Sequence, residues 1–213
     1  MAASPGDRQR FWAHAAAFGA LWGAIEVTLG SFLHGLRIPL SGAFLAALGA
    51  GLLIAVRQLE PRRGSSIAIG LVAAACKSIS PGGVIVGPMV AMLAESLLVE
   101  IALLPRPRSA IAAIVAGLLA VTWAVSQKLF GQVVFCGGDV IKLYVELLTK
   151  LARSLQLDAT AGWWTLAVVG ALLLLLGGGA GLWGWRIGRL TAVARASAAG
   201  AGSAGVAQGE TPA

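Results

Sequence analysis

The stretch VIVGPMVAMLAESLLVEIALL, Val84 to Leu104, is one apolar run long enough to cross a bilayer core of about 30 Å as a helix. Further runs of the same kind lie before and after it. They are continuous, whereas the strands of a membrane β-barrel alternate in polarity over segments of roughly ten residues. A water-soluble domain carries about a quarter of its residues charged. Here 12% are charged and 58% hydrophobic, and mean hydropathy is +0.85. The chain therefore reads as an all-α, polytopic membrane protein. Its 29 glycines suit helices that approach closely in lipid.

Six spans are expected: Phe11–Leu33, Leu40–Val56, a short one at Ser66–Ile79, Val84–Leu104, Ser109–Phe130 and Gly162–Trp185. The first run is too long for the apolar region of a cleaved leader, so it is expected to stay as a span. Residues 1–190 read as a single transmembrane domain. Residues 191–213 are rich in Ala, Gly and Ser and read as a disordered tail. Between the fifth and sixth spans, Val140, Leu143, Tyr144, Leu147, Leu151 and Leu155 fall near one helical stripe. Lys142, Glu146, Lys150 and Arg153 fall on another. Residues 139–157 are thus expected to form an amphipathic helix on the outer surface, as a plain connector or as a cap on a cavity.

The formal charge of +7 does not imply nucleic acid, because the basic residues stand singly or in pairs between apolar runs. That is the pattern of topology signals. With the N-terminus in the cytoplasm, ten of the sixteen Lys and Arg residues lie inside and six outside, four of the six in one long loop. Both termini are then expected to be cytoplasmic.

Ionisable residues inside the spans are expensive, so each asks for a partner, a cavity or a function. His14 and Glu100 lie near the cytoplasmic ends, where snorkelling relieves the cost. Glu26, Lys77 and Glu95 lie deeper or further out. Lys77 precedes a Ser-Pro-Gly-Gly break, and the hairpin of the third and fourth spans allows it to face Glu95. Two readings stay open. The three residues line a pocket opening outward, or a buried Lys–Glu pair fixes helix register. The break, with Ser80, Gly82 and Gly83, is an exposed backbone site for a polar ligand or an ordinary tight turn. Small residues Ala16, Ala20 and Ala24 repeat every four positions on the first helix, beside Ala15, Gly19 and Gly23. This smooth face serves a partner helix or packing within the chain.

Several chemistries lack their motifs. There is no phosphate-binding loop, no HExxH, no CxxC and no nucleophile elbow. His14 and His34 are about five turns apart on one helix, too far to share a metal. No catalytic residue, metal site or cofactor is assigned. The two cysteines, Cys76 and Cys136, are too few for a disulfide framework.

The segments AAAFGALWGAIE (Ala15–Glu26) and KSISPGGVIVGPMVAMLAESLLVE (Lys77–Glu100) resemble the substrate-binding (S) component of energy-coupling-factor (ECF) transporters. The resemblance spans about Phe11 to Arg189. It implies that Ala16, Ala20 and Ala24 dock on a membrane scaffold subunit driven by ATPase subunits. It also implies that the loop after Lys77 and the helix from Asp139 act as lids. Glu26, Lys77, Ser80, Gly82, Gly83 and Glu95 would contact a vitamin, a vitamin precursor or a related micronutrient. The long fifth connection departs from the short loops expected of the family. Two other function classes stay open beside it. One is an intramembrane enzyme using Glu26 and Glu95 as acid and base on a lipid-linked substrate. The other is a non-catalytic membrane assembly factor.

Overall fold

The computed structural model of the chain describes residues 5–36, 40–79, 86–135 and 162–209. Among the described residues there are six helices and no strand. They are α1 (Pro5–Gly35), α2 (Ser41–Leu59), α3 (Ser65–Ser78), α4 (Val86–Leu103), α5 (Ala110–Phe135) and α6 (Gly162–Gly209). All of them except α3 are long and apolar enough to cross a membrane. Helix α3 has 14 residues, about 21 Å of rise, and falls short of a bilayer core by itself.

Each expected span contains a helix, and the boundaries move mostly outward. Helix α1 begins at Pro5, ahead of Phe11, with the proline in a first turn where its missing N–H costs nothing. Helix α6 continues past Trp185 to Gly209, into the segment expected as a tail. Alanine dominates that segment and has the highest helix propensity of any residue. The surface helix expected at residues 139–157 lies outside the described residues, as do Ser80, Gly82, Gly83 and Cys136.

Helix α2 is the hub. It packs against all five other helices, and Ala50, Leu53 and Ile54 are fully buried. Around it the others follow in the order α1, α3, α4, α5, α6, each against the next. Helix α1 makes no close approach to α4, α5 or α6.

Missing β-carbons allow the tightest contacts. At the α5–α6 crossing, a Cβ on Gly117 would strike the backbone of Gly177 and Gly181. Gly184 meets the backbone of Gly51 in the same way. On α1, Gly19 lies against Ile69 and Val72 of α3, and Gly23 against Cys76. Backbone-to-backbone approach of this kind gains dispersion contacts that lipid tails cannot match, and it is open only to small residues.

Candidate functional site

The charged residues separate into two groups at opposite ends of the bundle. At the arginine-rich end, the chain turns from α2 to α3 through Pro61 and Gly64. Gly64 takes φ +85°, a left-handed conformation that suits glycine, and stands as the N-cap of α3. The first N–H groups of α3 have no partner within the helix. Glu100 of α4 supplies one from the side: Gly64 N–H donates to its Oε1 at 2.7 Å, and Ser66 N–H to its Oε2 at 3.1 Å.

The same carboxylate pairs with Arg57 at 3.1 Å, both side chains almost wholly buried. Arg57 also donates to the Arg62 carbonyl and, at 3.3 Å, to Ser65 Oγ. Glu100 is thus 3% exposed and paired, not a snorkelling end residue. Arg57 Nε and Ser66 Oγ keep no partner, but both charges of the pair are matched. Outside it, His14 Nδ1 lies 3.2 Å from Glu60, Gln58 Nε2 donates to the Pro107 carbonyl at 2.6 Å, and Arg62 stacks over Phe11. This group ties α1, α2, α3 and α4 together.

At the far end the arrangement differs. Glu95 of α4 is 5% exposed, on the same buried stripe as Met92 and Val99. Among the described residues its carboxyl makes no hydrogen bond and no ion pair. Its charged neighbour is Glu26 of α1, which also attracts Lys128 of α5. Lys128 lays its ammonium against Gly42 of α2, leaving no room there for a β-carbon. Helix α1 does not pack on α4 or α5, so Glu26 acts on both charges through its side chain alone. Four helices therefore converge on one polar region.

Two more buried polar groups lie along α5. Gln127 of α5 donates from Nε2 to the Gly87 carbonyl of α4 at 2.7 Å, while its buried Oε1 has no partner. Trp123, one turn along α5, has a buried Nε1–H with no partner. Buried polar atoms are normally satisfied, so each of these asks for an explanation.

Of the residues singled out in the sequence, Glu26 and Glu95 are near enough for their charges to act on each other. Lys77 does not join them: it is half-buried near the end of α3, and no ion pair links it to Glu95. The lysine drawn to Glu26 is Lys128. Sequence reasoning had placed Lys128 in an outer loop and had passed over Trp123 and Gln127. Their signal was present, as Gln127 sits four residues from Trp123 inside an apolar run, which puts both on one helix face.

The small-residue face of α1 resolves into two stripes. Ala15, Gly19 and Gly23 are buried, with the two glycines against α3. Ala16, Ala20 and Ala24 are exposed. Among the described residues no three His, Cys, Asp or Glu side chains are grouped to hold a metal. No family model matches this chain, and no curated protein or solved structure is significantly similar to it.

Proposed function

We propose that this chain is the substrate-binding subunit of an ECF-type importer in a bacterial cytoplasmic membrane. It would cross that membrane six times with both termini inside, and residues 139–157 would form a helix on the outer surface. Its cargo would be a vitamin, a vitamin precursor or a related micronutrient. Its partners would be a membrane scaffold subunit and ATPase subunits. One observation carries the reading: Ala16, Ala20 and Ala24 form an exposed smooth stripe, while the neighbouring Ala15, Gly19 and Gly23 stripe meets the packing needs of α1. A helix that needed small residues only for its own fold would have no use for the second stripe. The polar region at the far end supports the reading from the ligand side, with buried groups that the fold leaves unmatched.

The test is affinity purification of the tagged chain from its own membranes in mild detergent, with mass spectrometry of what accompanies it. ATPase subunits and a scaffold are expected, and are expected to be lost in Ala20→Leu. A chain that comes alone, or an Ala20→Leu variant that keeps its partners, would rule the docking role out.

A second reading starts from Glu26 and Glu95, whose charges act on each other. Two carboxyls held near one space suit an acid and a base acting on a lipid-linked substrate. Turnover by the purified chain alone, abolished in both Glu26→Gln and Glu95→Gln, would favour it over transport.

A further inference from the structure

We infer that the arginine-rich end holds the phosphate headgroup of an anionic phospholipid, in a hollow on α6 beside the turn that joins α4 to α5. This site is separate from the polar residues of the far end and from the alanine stripe of α1. Its level in the fold is set by two bonds. Residues 162–185 carry no charge, and the first arginine of α6 is Arg186. Helix α4 likewise ends at Leu103, just before Arg106 and Arg108. Trp185 Nε1 donates to the Arg108 carbonyl at 2.9 Å, which brings the two ends of apolar helix level. Gln58, bonded to the Pro107 carbonyl, lies against Gly188 of α6 and holds the turn there. A tryptophan among arginines where apolar spans stop marks a membrane–water interface.

The hollow has a volume of ≈ 340 Å³ and is lined by Trp185, Arg186, Arg189, Leu190 and Val193. Their spacing of three and four residues puts them along one side of α6. The floor is anchored: Trp185 packs against the buried core, and its indole is fixed by the bond to Arg108. Arg189 stacks over that indole, 5.0 Å from the ring centroid, so its guanidinium is already positioned. Arg186 stands exposed beside it. Two guanidinium groups at such a site offer the paired N–H donors that match phosphate oxygens.

The fold supplies no counter-charge. Residues 101–138 and 159–209 contain no Asp or Glu. The acids of this end lie on its other side: Glu100 is taken by Arg57 and Glu60 by His14. Asp7 is on α1, which does not pack on α6. At the surface of a membrane, the anion at hand is the lipid headgroup. The same side of α6 continues into the apolar span as Leu182 and Leu175, four and eleven residues before Arg186, both exposed. They give an acyl chain an apolar track directly below the phosphate. A free phosphate ion would have no use for that track.

The experiment uses the full chain, purified in a mild non-ionic detergent and stripped of lipid. It is titrated with phosphatidylglycerol and with phosphatidylcholine, and bound lipid is counted by native mass spectrometry. Phosphatidylglycerol is expected to bind with a Kd at least tenfold lower. The double variant Arg186→Gln, Arg189→Gln should weaken its binding at least tenfold and leave phosphatidylcholine unchanged. Arg8→Gln with Arg10→Gln removes the same charge from exposed positions on α1 and should weaken it less than twofold. Size-exclusion profile and melting temperature show whether each variant is folded. If the double variant does not fold, Arg186→Gln alone decides, with a several-fold loss expected.

Equal binding of the two lipids overturns the headgroup assignment. An equal loss in the Arg8, Arg10 variant would mean that overall charge attracts the lipid, and overturns the site. Inorganic phosphate that displaces the lipid at the lipid's own concentration would make this a free-phosphate site and overturn the lipid as its occupant.

Discussion

Glu95 and Glu100 lie five residues apart on α4, and both are almost fully buried. Glu100 meets Arg57 and two backbone N–H groups, whereas Glu95 has no bonded partner among the described residues and feels the charge of Glu26. The same side chain at similar burial therefore serves two ends. Where a charge is matched on all sides, it ties helices together and caps one of them. Where it has no bonded partner among the described residues, it ties nothing together. Burial alone does not distinguish the two, but the list of bonded partners does.

The largest expected effect lies at the matched end. Arg57→Met leaves Glu100 buried without its cation and should destabilise the protein by about 3–5 kcal/mol, the range for breaking one side of a buried pair. The double variant Arg57→Met, Glu100→Leu should recover only part of this, because Gly64 and Ser66 N–H lose their acceptor. Glu95→Gln removes no bonded partner and should change unliganded stability by about 1 kcal/mol or less. Denaturant titration of the purified variants measures all three. If Arg57→Met proves as mild as Glu95→Gln, the division between the two ends is wrong.

Helix α1 repeats the contrast in packing. Gly19 is buried against Val72 and the Ile69 carbonyl, while Ala20 beside it is exposed. Gly19→Leu must push α3 away and should cost about 1–3 kcal/mol, as overpacking of a close contact does. Ala20→Leu should leave stability nearly unchanged. The ratio of the two melting shifts checks the orientation of α1. Equal shifts would mean that both stripes are packed.

The sequence made the helices legible because an apolar run of bilayer length has few other ways to satisfy its backbone. It also made Glu26 and Glu95 conspicuous, because carboxylates are rare inside such runs. It could not choose between Ala16–Ala20–Ala24 and Ala15–Gly19–Gly23, since adjacent stripes are equally small and only the position of α3 decides which is covered. It paired Glu95 with Lys77 because a hairpin places α3 beside α4. Burial along α4 and the path of α5 gave Glu26 a different lysine, Lys128. Glu100 read as an end residue for the same reason: its partner Arg57 is 43 positions away in the chain (100 − 57) and counted only as a topology signal. Pairings of this kind belong to the tertiary arrangement, and no local pattern encodes them.

The smallest effect sharpens the comparison from the unmatched end. If Lys128 served there as Arg57 serves Glu100, a double-mutant cycle of Glu26→Gln with Lys128→Met would give a coupling of several kcal/mol. Lys128 is exposed. Exposed charges are screened and lose side-chain entropy when held in place, so the coupling should be about 0.2–1 kcal/mol. It should shrink further in high salt, where separated charges no longer feel one another. The Arg57–Glu100 coupling should persist under the same salt, because solvent does not reach it. A salt-resistant coupling at Lys128 would instead make it a structural partner, and the polar region would then be closed like the other end.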